Sequence, residues 1–231
     1  MDPHSRSQWS ALVAQAIPTK LETPALDVFL NELAVRHPGA RVLDLGCGNG
    51  GVTLKLVAHG FSAVGVDLHP QALAQAALAV PTAHFYARDV AAVSGVVLPE
   101  PSFDAAVCQL LFSVVGDASD RAQALQNARA LLAPRAQLYA SFSGLSDDLN
   151  PEYAALYARD ASLTGEHGSY FSRDADGRVL YRTHHFSQSE IEALFQTAGL
   201  ALTRLEARIE ASSRRPEQRA RFYYVCALRN D

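Results

Sequence analysis

Short β-type runs alternate with helical stretches along this 231-residue chain, and that alternation constrains its fold more than any other feature. ARVLDL (40–45) reads as a strand, and NGGVTLKLVAHG (49–60) as a helix that stops at Gly60. FSAVGVDL (61–68) is a second strand, and HPQALAQAALAV (69–80) a second helix with Pro70 in its first turn. AHFYARDV (83–90) is a third strand, and FDAAVCQLLFSVV (103–115) opens as a fourth. SDRAQALQNARALLAP (119–134) is an amphipathic helix ended by Pro134, followed by a fifth strand, AQLYASFS (136–143). The helix SQSEIEALFQTAGL (187–200) starts on a capping box, Ser187 with Glu190, and stops at Gly199. LALTRLEAR (200–208) and ARFYYVCALR (220–229) close the chain as two strands. Strands that alternate with helices of this length build a parallel sheet covered on both faces. The last two strands have no helix between them and should pair antiparallel. The expected fold is α/β: a doubly wound, mostly parallel, seven-stranded Rossmann-like sheet with an antiparallel last strand.

Length and 48% hydrophobic content suit one domain spanning 1–231 with a single core. Two segments fall outside the alternation. Residues 1–38 look mostly helical and read as an N-terminal cover that includes Trp9 and Lys20. Residues 144–186 read as a substrate-side insertion. In it SYFSRDADGRVLYRTHHF places Asp-Gly between strand-like runs, the signature of a hairpin lid between the fifth strand and the following helix. The net charge of -4 disfavours a nucleic-acid partner. No window reaches the roughly 18 to 20 apolar residues of a membrane helix, and the N-terminus has no secretory pattern. Cys47, Cys108 and Cys226 are far apart and form no CxxC pair, so they read as reduced thiols of a cytoplasmic protein with no metal site.

The loop after the first strand, in VLDLGCGNGGVTLKL, is the expected binding loop. In an open α/β sheet, ligands bind outside the carboxyl ends of the strands, and glycine lets a ligand approach the backbone closely. Gly46, Gly48 and Gly50 form GxGxG and not the GxGxxG of a dinucleotide loop. Asp44, two residues before the first glycine, would repel a pyrophosphate but suits a cationic amino group. Asp67 ends the second strand, where a carboxylate can accept both ribose hydroxyls. Asp89 ends the third, where it could face an adenine amino group. One carboxylate at each of three strand ends describes S-adenosylmethionine.

Together, VLDLGCGNG, GVDLHP, ARDV, FDAAVCQLLFSVV and LLAPRAQLYASF resemble the class I S-adenosylmethionine-dependent methyltransferases over residues 40–143. The resemblance implies a seven-stranded sheet and S-adenosyl-L-methionine as cofactor. It implies that Gly46, Cys47 and Gly48 lie against the methionine part, beside Asp44. Asp67 with Leu68 would hold the ribose, Asp89 with Val90 the adenine, and the backbone near Gln109 the amino group. One departure is Pro134-Arg135-Ala136, where the family usually turns on proline-glycine-glycine.

Methyl transfer from a sulfonium is an in-line displacement in which placement of the acceptor does most of the work. A general base helps only if the acceptor carries a proton of high pKa. Tyr153, Tyr157, Tyr170, Phe171 and Tyr181 could wall the acceptor pocket, and His167, His184 and His185 are candidate bases. His184, His185 and Tyr170 are the catalytic candidates. His184 and His185 are adjacent on a probable strand, so at most one faces the site and the pair is poorly placed to share a metal. Arg214, Arg215, Arg219 and Arg221 form a basic turn between the last strands, better read as a solvated loop than as a contact to an acidic substrate. The expected activity is methylation of an O or N atom of a small-molecule acceptor, by a monomer or homodimer with no membrane partner. Two alternatives stand beside it: an enzyme that uses the sulfonium differently, by cyclisation or aminocarboxypropyl chemistry, and a non-catalytic cofactor-binding module.

Overall fold

The computed structural model describes residues 23–91, 98, 102–212 and 217–230. The expectations for Trp9, Lys20, Arg214 and Arg215 lie outside them. After helix α1 (Pro24–Arg36), the chain runs β1 (Arg41–Leu45), α2 (Gly51–Ala58), β2 (Ser62–Asp67), α3 (Pro70–Ala79), β3 (His84–Ala87) and β4 (Phe103–Cys108). It continues through α4 (Ala118–Leu131), β5 (Leu132–Ser143), α5 (Pro151–Thr164) and the hairpin β6 (Ser169–Arg173) and β7 (Val179–His184). It closes on α6 (Gln188–Ala198), β8 (Leu200–Ala211) and β9 (Arg219–Arg229).

Seven strands form one sheet in the order β3-β2-β1-β4-β5-β9-β8. β1 to β5 are parallel, and β9 runs antiparallel between β5 and β8. The last strand therefore does not lie at the edge of the sheet. It slides inside, and β8 takes the border.

Successive residues of a strand point to opposite faces, and the central strands divide their apolar residues accordingly. Leu43, Val64, Ala106 and Leu138 pack with Leu125 of α4 and Phe195 of α6. Val42, Ala63, Ala105 and Tyr139 pack with Leu26, Phe29 and Leu30 of α1 and with Leu56 of α2. Both layers are buried, which is why β1, β2 and β4 read as near-continuous apolar runs.

Two local readings are corrected. The helix expected to run to Pro134 ends at Leu131, and Leu132 is already extended at ψ 146° as β5 begins. The residue before a proline is driven out of the helical region, so Ala133 had to be extended as well. Arg135 then takes φ 64°, the left-handed conformation that the usual glycine of this turn adopts freely.

The insertion also holds a helix, α5, beside the hairpin. Asn150 accepts a hydrogen bond from the Glu152 amide, Pro151 occupies the first turn and Gly165 ends the helix at φ 65°. Its buried Tyr153, Tyr157, Asp160 and Thr164 recur at helical spacing. Asp160 pins this helix to β6: it accepts from two nitrogens of Arg173, from Arg159, and from the Phe171 amide at 2.8 Å.

Candidate active site

The strand order reverses between β1 and β4, so the loops that follow these strands diverge and leave a crevice. The glycine loop after β1 is held from below. Gly46 and Cys47 both donate to the Val66 carbonyl, at 2.8 and 3.1 Å. Gly46 has φ 76°, and a Cβ there would stand 2.8 Å from Leu111 Cδ1, so this position requires glycine twice over. Asp67 joins the two neighbouring loops. Its Oδ2 accepts from the Gly48 amide and its Oδ1 from the His69 amide, both at 2.8 Å. Burial pushes its pKa up, while the amides of His69 and Gly48 pull the other way. Asp89 accepts from the Ala91 amide at 2.9 Å, and Asn127 of α4 donates to the Val90 carbonyl at 2.8 Å.

The loop after β4 turns at Leu110, whose φ of 54° is rare for a branched residue. Its amide donates to Ser141 Oγ at 2.9 Å, which holds the turn. The turn places the Gln109 carboxamide against the crevice. Both amide atoms of Gln109 are buried, and neither has a hydrogen-bond partner among the described residues. Buried polar atoms without partners are rare, and Gln109 carries its pair at the wall of the cleft.

One open cleft of about 1240 Å³, mouth included, runs across these loops. Gly46, Gly48, Asp67, Leu68, Asp89, Val90 and Gln109 line one half. Asp44 and Cys47 do not. Asp44 shares the α1-α2 face of β1, beneath the loop, and accepts from Thr53 Oγ1 of α2 at 2.6 Å. Burial raises its pKa to about 7, against the hydrogen bond from Thr53. The expectation that Asp44 points into the crevice is thereby corrected: a side chain at that register faces the helices, so it buttresses the loop from inside. Cys47 is likewise buried, its thiol pushed up by burial and the nearby Asp44 charge.

The other half is walled by Tyr153 of α5, Tyr170 of β6, Tyr181 and Thr183 of β7, His185 and Phe222. Of the aromatic candidates, Tyr157 stands behind this wall, and Phe171 lies under the Arg173 guanidinium. Ser113, Ser143 and Ser212 add hydroxyl groups that the sequence reading did not single out. Two of the three sit where a strand gives way to a loop, a position that flags a residue facing the crevice.

The adjacent histidines separate. His185 is on the wall, its Nδ1 2.7 Å from Tyr157 Oη and its Nε2 3.4 Å from Tyr170 Oη. His184 is turned away from the cleft and is corrected as a catalytic candidate. Its Nδ1 meets Ser169 Oγ at 2.8 Å and its Nε2 lies 3.5 Å from Glu190. Burial holds its pKa below the ordinary histidine value, against the pull of Glu190. It belongs to a buried polar cluster in which Glu166 takes both Arg121 and Arg182. His167 packs edge-on to Tyr157, also off the cleft. Of the basic turn, Arg221 pairs with Asp148 at 2.7 Å and Arg219 donates to the Ile209 carbonyl.

Gln109→Leu should weaken binding of S-adenosylhomocysteine while leaving the melting temperature of the ligand-free protein unchanged or slightly raised. A carboxamide with no partner contributes little to the empty fold. A large loss of stability would mean that the amide is already satisfied.

Residues 42–135 match the model of a family described as a methyltransferase domain. No protein of curated function matches the chain in sequence. Among solved structures, a methyltransferase from Methanosarcina mazei described as S-adenosylmethionine-dependent superposes with a TM-score of 0.79 at 23% identity, over 90% of this chain and 98% of that one. The 1,6-didemethyltoxoflavin N1-methyltransferase of Burkholderia thailandensis, with its substrate and S-adenosylhomocysteine bound, gives 0.61 at 19% identity over 99% and 83%. Magnesium protoporphyrin IX methyltransferase from Synechocystis, bound to S-adenosylhomocysteine, gives 0.61 at 15% identity over 90% and 82%. The matched segment, less than half of the chain, is similar to a methyltransferase domain, and the sheet order is that of the fold shared with these solved structures.

Proposed function

We propose that this protein transfers the methyl group of S-adenosylmethionine to an oxygen or nitrogen atom of a small molecule. The observation that carries the reading is the single cleft. It runs without a break from the glycine loop, Asp67 and Asp89 to the aromatic wall with His185. The residues fit the cofactor. The loop at Gly46 and Gly48 leaves room at the backbone, Asp67 offers its remaining lone pairs to a ribose, and the unpartnered Gln109 amide awaits a polar group. When bound, the cofactor supplies an electrophilic methyl carbon next to a sulfonium charge.

The chain's own part is to bind, orient and exclude water. The described lining of the acceptor half is aromatic and hydroxylic and carries no lysine, arginine, aspartate or glutamate. Such a wall suits a compact acceptor with few charges and disfavours a polyphosphate or nucleic acid. Tyr170 and His185, among the polar groups of this lining, are our candidates to touch the acceptor. Tyrosine faces also attract a sulfonium cation. Among the described residues no helix is long and apolar enough to cross a membrane, and we place the activity in the cytoplasm.

The test is calorimetric titration with S-adenosylmethionine and S-adenosylhomocysteine, then mass spectrometry after incubation with a panel of phenols, amines and nitrogen heterocycles. Binding, with S-adenosylhomocysteine formed in step with a methylated acceptor, is the expected result. Absence of binding to either ligand would overturn the reading.

A further inference from the structure

We propose that the outer edge of β8 pairs antiparallel with the same edge of a second copy of this chain, about a two-fold axis at Ala207. The proposal goes beyond the methyl-transfer reading and does not rest on it.

β8 borders the seven-stranded sheet, and among the described residues no strand pairs with its outer side. The direction of its backbone groups follows from β9. Arg221 donates its amide to Ser146 Oγ, and its carbonyl accepts from the Gly144 amide, both on the β5 side. Residues opposite one another in an antiparallel pair turn their backbone groups either toward each other or both away. Ile209 stands opposite Arg221, so its N–H and C=O point to the outer edge. Every second residue does the same, so Leu205 and Ala207 present theirs there too. The Ile209 carbonyl accepts from Arg219, and a carbonyl has a second lone pair to offer. From Arg204 to Ala211 the pairing with β9 is free of bulges. A regular edge of this kind is a template for another strand.

The side chains select the strand that fits. Arg204, Glu206, Arg208 and Glu210 alternate in sign along one face of β8. It is the face covered by α1. Arg204 pairs there with Glu32 at 2.9 Å, Glu206 takes two nitrogens of Arg208 at 2.7 and 2.9 Å, and Glu210 accepts from Tyr224 Oη at 2.7 Å. Arg204, Glu206 and Arg208 keep 45%, 43% and 32% of their side chains exposed. With the axis at Ala207, Arg204 lies opposite Glu210 of the second copy, and Glu206 opposite Arg208 of the second copy. The symmetry makes each contact twice. A slide of the partner by two residues is the smallest that keeps the backbone pattern. In one direction it sets Glu206 against Glu206 and Arg204 against Arg208. In the other it sets Arg208 against Arg208 and Glu206 against Glu210. Only the register centred on Ala207 matches all four charges. On the opposite face of the strand, that register sets Leu205 against Ile209 and Ala207 against Ala207, and it covers Ile209, which is 46% exposed. A sequence of charges that complements its own reversal fits a second copy of itself, and a strand of another protein has no such requirement to meet.

The test is sedimentation velocity of the full chain across a concentration series, for the native protein, Glu206→Arg and Arg208→Glu. The native protein should sediment as a dimer at micromolar concentration. Each variant sets like charges against each other twice in its own dimer, and should raise the dissociation constant at least about tenfold. Mixed in equal amounts, the two variants bring opposite charges together again at both contacts, and the mixture should dimerise as the native protein does. A native protein that stays monomeric throughout would leave the edge to some other strand and overturn the proposal. A dimer that survives unchanged in Arg208→Glu would overturn it too, as would a mixture of folded variants that stays monomeric. Arg204→Glu and Glu210→Arg repeat the test at the outer contact if either of the first variants folds poorly.

Discussion

Asp67→Ala should lower the affinity for S-adenosylhomocysteine by roughly 5- to 150-fold, about 1 to 3 kcal/mol. The size follows from the double engagement of the carboxylate. Its oxygens already accept from the Gly48 and His69 amides, so it fixes the glycine loop against the end of β2 before any ligand arrives. The lone pairs that remain face the cleft, where a ribose diol would meet them. Removing the side chain takes away both the charge-assisted contact and the preorganisation of the loop. Calorimetry would read the affinity, and a melting curve without ligand would show that the sheet is intact. Unchanged affinity in a folded variant would put the ribose elsewhere and break the assignment of the cofactor half.

The second large effect is expected at Asp160, far from the cofactor. Asp160→Ala should destabilise the protein by about 2 to 4 kcal/mol, because removing a carboxylate 1% exposed leaves the Phe171 amide without its acceptor and Arg173 with only the Phe171 carbonyl. Arg159 is 47% exposed and adds little. For a chain of this length the loss corresponds to a fall in melting temperature of roughly 4 to 16 °C. The pH dependence has a definite sign. Burial alone would raise this carboxyl's pKa, but the hydrogen bonds from Arg173, Arg159 and the Phe171 amide outweigh it and hold the group below the usual range. A depressed folded-state pKa gives stability that is complete above the unfolded value, about 4, and is lost as pH falls through the folded one. The gap between native and variant should therefore be constant from pH 6 to 8 and narrow in acid. Melting curves at pH 7 and pH 3 check both statements. An equal gap at the two pH values would assign the effect to packing and not to charge. Because α5 also carries Tyr153 and Tyr157, acceptor turnover should suffer more than cofactor affinity.

The half of the cleft lined by the glycine loop and Asp67 was legible because its signals are local. Gly46 and Gly48 take positive φ where the backbone reverses, Asp67 ends a strand whose apolar run is plain in the sequence, and Asp89 follows β3, which stops at Ala87 and not at Val90 as expected. The capping box Ser187–Glu190 is equally local, and both of its hydrogen bonds are present. The acceptor half was legible only as a composition of aromatic residues. The sequence reading placed a hairpin in the insertion but passed over α5, although Asn150-Pro151 and Gly165 mark its ends and its buried face repeats at helical spacing.

By itself the sequence determined the order of the seven sheet strands and of the helices outside the insertion, the glycine turn and the carboxylate at the end of β2, since these depend on periodicity and on backbone conformations set within a few residues. Tertiary structure alone decided which of His184 and His185 meets the cleft, because neighbours on a strand point to opposite faces and only the packing of β7 names the faces. It also decided that Asp44 looks inward, that β9 enters between β5 and β8, and that Tyr157 reaches across 28 residues to meet His185. Each of these depends on how elements pack and pair once the sheet has closed over its core.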